Sequence, residues 1–181
     1  MKKLNSFTLK NMTIEKMKEM INETKKDKKE RQFDFCNCPK NNVLFHANEC
    51  TGNECEVESR RICVEGEFVG SYHTHPQPFS EQPSTGDLFN IMRDSMGCIG
   101  SAKTNRIKCY LFDRNKGYDY IKETYGQVQK VDNIEIDIVG GYSKKPELWP
   151  DIARKLENLK IKNDTINKYF RIVQIMNEKR D

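Results

Sequence analysis

The run Glu67-Phe68-Val69-Gly70-Ser71-Tyr72-His73-Thr74-His75-Pro76 constrains this chain more than any other stretch. Extended backbone sends residues i and i+2 to the same face, so a strand here carries both imidazoles on one side. Pro76 has no N–H to give a ladder and ends the strand. The 181 residues hold only three histidines, and two of them stand in this run. After a short loop comes Ser84-Thr85-Gly86-Asp87-Leu88-Phe89-Asn90-Ile91-Met92, with apolar residues at 88, 91 and 92. That spacing predicts a helix opening after the loop, with Asp87 in its first turn.

Two imidazoles and a carboxylate leave the fourth position of a tetrahedral Zn2+ open to water, the pattern of a catalytic rather than a closed structural site. Each half has a plainer reading when taken alone. Ser84 and Asp87 suit a helix N-cap with an acidic third residue, and a lone His-x-His on a strand is more often incidental. Their joint occurrence at metal-site spacing favours the metal. His46 has no partner nearby in sequence and reads as a strand or surface histidine.

His73-Thr74-His75-Pro76 followed by Ser84-Thr85-Gly86-Asp87 resembles the signature of the JAMM (MPN+) metallopeptidase family, His-x-His-Pro and then Ser-x-x-Asp. Eight residues separate His75 from Ser84, one more than in the commonest form, in a loop carrying Pro76, Pro78 and Pro83 where length is tolerated. The resemblance covers roughly residues 10 to 140. It implies zinc on His73, His75 and Asp87, with Ser84 stabilising the oxyanion. It also implies an upstream catalytic Glu at a helix-to-strand junction, and Glu30, 43 residues before His73, has that position. Its role would be to take a proton from the attacking water and pass it to the leaving amine. Glu49, Glu54, Glu56, Glu58, Glu65 and Glu67 read as solvated surface charges.

The expected fold is α/β: a mixed, curved β-sheet flanked by helices, of the cytidine-deaminase-like JAMM type, over residues 1–140. Residues 141–181 form a C-terminal helical extension packed on the domain or on a partner. The function implied is zinc-dependent hydrolysis of a peptide or isopeptide bond, removing a ubiquitin-like modifier or sulfur-carrier protein from its conjugate. The short path from Asp87 to Arg106 suits a compact, prokaryotic-type enzyme. A non-catalytic MPN scaffold and a DNA-repair-associated relative are the alternatives. Scaffolds usually lose zinc ligands, and the repair relative is disfavoured by Thr74 between the histidines and by the lack of a helix-hairpin-helix segment.

Composition fits one domain with a substantial core. With 32% charged residues and a mean hydropathy of −0.83, the chain offers no run long enough to span a membrane. Basic Met1-Lys2-Lys3 is not followed by the apolar stretch of a signal peptide, so a cytoplasmic protein is expected. The net charge of +4 is modest, and Lys25-Lys26-Asp27-Lys28-Lys29 lacks aromatic interleaving, so it reads as a solvated helix end and not a specific nucleic-acid site. Seven cysteines lack the paired C-x2-C spacing of a zinc ribbon and are expected to be buried free thiols. Cys98 with Cys109 becomes a candidate disulfide if the source is a hyperthermophile.

Along the chain, apolar residues at 14, 17, 20 and 21 predict a helix over 13–28. Strands are expected over 31–38, 43–49, 55–64 and 67–74, with a hairpin pairing 106–112 and 117–121. Residues 133–139 alternate like a half-buried strand. Beyond Gly140-Gly141, stripes at Leu148, Ile152, Leu156, Leu159 and at Ile166, Phe170, Val173, Met176 predict two helices.

Overall fold

The computed structural model describes residues 2–4, 7–56, 62–112, 130–131, 134–135 and 170–175. In chain order the elements are β1 (Lys2–Leu4), β2 (Phe7–Leu9), α1 (Asn11–Asp27), β3 (Arg31–Cys38), β4 (Val43–Thr51), a 3-10 turn (Gly52–Glu56), β5 (Glu67–His75), α2 (Thr85–Asp94), β6 (Met96–Ser101), β7 (Ile107–Phe112), β8 (Lys130–Val131), β9 (Ile134–Glu135) and β10 (Phe170–Ile175). They fall into two compact units. One comprises Met1–Gln82, Met96–Cys109 and Val173–Asp181, the other Pro83–Ser95 and Tyr110–Ile172.

Among the described residues, eight strands form a mixed sheet in the order β1-β2-β4-β3-β5-β6-β7-β10. The β2–β4 and β5–β6 pairs are parallel, and β1–β2, β3–β4 and β3–β5 are antiparallel. In the first unit α1 buries Thr13, Met17, Met20, Ile21 and Thr24, a helical stripe at three- and four-residue spacing. The helix stops at Lys28, whose left-handed backbone (φ 61°) turns its N–H back to the Thr24 carbonyl. Tyr72 of β5 meets this helix: its fully buried hydroxyl donates to the Met17 carbonyl at 2.8 Å. Gly100 of β6 makes room for that ring, because an added Cβ would run into the Tyr72 hydroxyl and the Ile21 side chain.

A bulge in β4 sets Asn48 and Glu49 against Phe33 alone, and Asn48 takes the left-handed conformation (φ 57°) that asparagine tolerates. Its amide reaches the buried Asp34 carboxylate and the Ile62 carbonyl, each at 2.8 Å. In the second unit, α2 begins with a reciprocal capping box between Ser84 and Asp87, buries Leu88 and Ile91, and ends at a left-handed Ser95. The Phe112 and Phe170 rings pack at a tilt of 35° with centroids 4.9 Å apart.

Several expectations meet corrections. The strand expected over 55–64 is not formed in its described part: Gly52–Glu56 is a 3-10 turn, and Val64–Gly66 bend. A Cys50–Cys55 disulfide ties together residues five apart in sequence, with Cα atoms 5.3 Å apart, too tight a loop for extended chain. The expected buried thiols are replaced by three disulfides, Cys36–Cys63, Cys50–Cys55 and Cys98–Cys109, with Cys38 alone free. Cys98 and Cys109 face each other across a hairpin whose register is given by Ser101 N–H donating to the Arg106 carbonyl. Three steps from that hydrogen-bonded pair they occupy a non-hydrogen-bonded position, where opposed Cα atoms come closest, here 4.0 Å.

Phe170–Ile175 is a strand and not part of a helix. Phe-Arg-Ile-Val-Gln-Ile is rich in β-branched residues, and over six residues a helical stripe and strand alternation are hard to tell apart. The expected partner strand 117–121 and the remainder of the 141–181 helices lie outside the described residues. Of the 133–139 strand, Ile134–Glu135 is seen, paired with Lys130–Val131.

Candidate metal centre

Strand β5 is held on both edges, Gln32 opposite His73 on one side and His73 opposite Ile99 with His75 opposite Ser101 on the other. Tyr72 and Thr74 project toward α1, where the Thr74 hydroxyl lies 2.8 Å from that of Thr24. Alternation therefore sends His73 and His75 to the opposite face, as the sequence pattern requires. Their Nε2 atoms are 3.0 Å apart.

The tautomer of His75 follows from its neighbour. Its Nδ1 is 2.7 Å from the Ser80 carbonyl, which can only accept, so Nδ1 carries the proton and Nε2 presents the lone pair. An imidazole oriented in this way by a backbone carbonyl is the usual second-sphere support of a metal-binding histidine. Two imidazole nitrogens, each at about 2.0–2.1 Å from a tetrahedral zinc, stand about 3.3 Å apart, close to the separation found here.

Asp87 sits at the third position of α2. Its backbone N–H donates to Ser84 Oγ at 3.1 Å, and its Oδ2 accepts from the Ser84 N–H at 2.9 Å. A carboxylate has about four lone-pair sites, so this bond leaves capacity for a cation. One ligand atom from each of His73, His75 and Asp87 lies within 4.8 Å of the others, a group able to hold a metal ion. The donor set, two neutral nitrogens and one carboxylate, fits zinc.

Glu30 is exposed and directly precedes β3. Its own carbonyl accepts from the Gly52 N–H at 2.8 Å. Beyond the Gln32–His73 pair, the Arg31 N–H donates to the Thr74 hydroxyl, so the same register brings the Glu30 backbone level with His75. Arg31 fixes this junction. Its guanidinium grips both oxygens of Asp27 at the end of α1, which together with the Lys29 N–H holds the Asp27 carboxyl well below the usual carboxylate range. His46 is a strand histidine, half-buried on β4 with Nδ1 3.1 Å from the Thr13 hydroxyl. Desolvation lowers its pKa, against an opposing pull from Glu49.

Three contributors were not foreseen. Ser80 acts through its carbonyl, which leaves no side-chain signature in a sequence. Glu81 reads as one more surface charge, yet it is only 4% exposed and bonded to Thr104 and Lys108. Burial pushes its carboxyl up, but the Thr104 hydroxyl, its own backbone N–H and Lys108 outweigh that and leave it lowered. Asp34, fully buried, lies opposite Ser71 and so on the face that carries the histidines.

No protein-family model matches this chain, and neither does any curated protein. Among solved structures it is similar to a JAB1/MPN domain protein from Archaeoglobus fulgidus, with a TM-score of 0.40 and 16% identity over 58% of this chain and 89% of that one.

Proposed function

We propose that the chain is a zinc-dependent hydrolase of peptide or isopeptide bonds, with His73, His75 and Asp87 holding the metal. The observation that carries this reading is the convergence of those three ligand atoms, with the His75 tautomer already set by Ser80. Zinc bound there would lower the pKa of a water molecule to about 7, supplying the nucleophile at neutral pH. Glu30 takes a proton from that water and delivers it to the leaving amine. Ser84 Oγ accepts from the Asp87 N–H, which leaves its own proton to donate to the oxyanion that develops on the scissile carbonyl.

The substrate class is an extended tail, small next to the scissile bond, that reaches the site beside the 77–83 loop; β5 itself is paired on both sides and has no edge to which a strand could be added. A C-terminal Gly-Gly tail of a ubiquitin-like or sulfur-carrier protein meets that description. Among the described residues no helix is long and apolar enough to cross a membrane. Three disulfides suit an oxidising compartment, or the cytoplasm of a hyperthermophile.

The test is to incubate the purified chain with ubiquitin-like fusions ending in Gly-Gly or in bulky residues, with and without chelator, while measuring bound zinc. One zinc per chain, chelator-sensitive cleavage of the Gly-Gly fusion, and loss of both zinc and cleavage in His73→Ala and Asp87→Ala are expected. Full activity after complete chelation would overturn the metal reading. Equal cleavage of both tails would point to a general peptidase.

A further inference from the structure

The loop from Pro76 to Pro83 must deliver the Ser80 carbonyl to His75 Nδ1, yet it has little apolar anchorage. The Phe79 ring is 61% exposed. Polar bonds hold the loop instead, and they bracket Ser80 closely. On one side the Phe79 carbonyl accepts from Ser101 Oγ at 2.6 Å, and the Phe79 N–H closes a turn onto the Pro76 carbonyl at 3.0 Å. On the other side the Glu81 carboxylate takes the Thr104 hydroxyl on Oε2, while Lys108 Nζ lies 3.4 Å from Oε1.

Ser101, Thr104 and Lys108 belong to one hairpin, β6 and β7 with their connecting turn, stapled by Cys98–Cys109. The same hairpin bonds β5 directly, through the Ala102 N–H to the His75 carbonyl at 2.9 Å. A carboxylate as buried as that of Glu81 is costly unless it is paired and hydrogen-bonded, and Thr104 and Lys108 supply both kinds of partner. Its bonds here fix the residue next to the one that orients a proposed metal ligand.

We propose that Glu81 is a positioning residue for His75, clasping the loop to the Thr104–Lys108 side of the hairpin so that the Ser80 carbonyl holds the imidazole in its Nδ1–H tautomer with Nε2 ready to bind metal. This rests on the zinc reading above for its consequence, though not for its geometry. A partner of a metal-binding histidine typically contributes about 10- to 100-fold in metal affinity. The clasp acts one bond further out and is assigned the lower part of that range.

The experiment uses Glu81→Ala, Glu81→Gln and Thr104→Val in the full chain, with two readouts. Long-range 1H–15N spectra of the metal-free protein report the tautomer of His75. Competition against a chelator gives the zinc Kd of the folded protein. The wild type is expected to show the Nδ1–H form. Glu81→Ala and Thr104→Val should show a mixture and raise the zinc Kd about tenfold. Glu81→Gln keeps an acceptor for Thr104 and should recover part of the loss, which a general loss of stability would not mimic.

Should Glu81→Ala fail to fold, Thr104→Val at its half-exposed site decides the matter. An unchanged tautomer and a Kd within about twofold of wild type in Thr104→Val would overturn the clasp, even with a lower unfolding midpoint. A wild type that shows the Nδ1–H tautomer but binds no zinc would overturn the metal reading, and the spectra would still decide whether Glu81 positions the ring.

Discussion

Ser84 has two separable roles, and replacing it distinguishes them. It caps α2 by accepting the Asp87 N–H, and it is proposed to donate to the oxyanion. Ser84→Ala removes both. The cap is exposed, so its loss leaves no buried orphan and should lower stability by about 1 kcal/mol, an ordinary N-cap value. With a urea slope of about 1–3 kcal/mol/M, the unfolding midpoint falls by about 0.3–1 M. Loss of an oxyanion donor is larger, about 2.7–4 kcal/mol in the barrier, or two to three orders of magnitude in kcat. Ser84→Gly discriminates, since glycine at an N-cap gives up only about a few tenths of a kcal/mol yet offers no hydroxyl. Urea unfolding, zinc content and kcat on a Gly-Gly fusion should be measured on the same preparations. Ser84→Gly should be nearly as stable as wild type and as slow as Ser84→Ala, with zinc retained. If Ser84→Gly recovers kcat to within about tenfold of wild type, the serine is a helix cap and its proposed oxyanion role is wrong.

Glu30→Gln should keep zinc and slow turnover by about two to four orders of magnitude, the usual worth of general acid–base catalysis, and an active variant would move the base to another acid. Because burial lowers the pKa of His46 from 6.5, the unfolded chain binds a proton near that pH more readily than the folded one. This contribution to stability is complete above pH 6.5 and is lost as pH falls through that value toward the folded-state pKa; His46→Gln should flatten the corresponding slope in urea midpoints. Thiol titration of the denatured, unreduced chain should find one reactive cysteine, Cys38, and seven after reduction. Cys36→Ser with Cys63→Ser should lower stability by about 3–4 kcal/mol, the loop-entropy value for a 27-residue closure, as read from urea unfolding.

The parts of the molecule that sequence made legible were those with a short period or a short-range partner. His73 and His75 share a face because strands alternate, and Ser84 and Asp87 pair because a helix N-terminus needs that cap. The first helix was expected over 13–28 and forms over Asn11–Asp27, a boundary shift of ordinary size. Long-range constraints were not legible. Nothing local marks Cys36 and Cys63 as neighbours, since they meet only once β3 is paired with β5. Ser80 works through its main chain, and Glu81 earns its burial from Thr104 and Lys108, more than 20 residues away. The apolar spacing of Phe170–Ile175 satisfies both periods, so a helical stripe and a strand read alike there.

The single unpaired thiol has a consequence for how this chain reaches its native form. Seven cysteines can be joined into three pairs, one left over, in on the order of a hundred ways. Cys50–Cys55 and Cys98–Cys109 span 5 and 11 residues, so chain statistics favour their early closure. Cys63 must instead choose between Cys36 and Cys38, two residues apart on the same strand and, by strand alternation, on the same face of it. Oxidation before β3 has paired would join either with similar ease, and only the assembled sheet makes the choice. A thiol–disulfide isomerase should therefore speed recovery of the reduced chain, and Cys38→Ser should make it largely unnecessary.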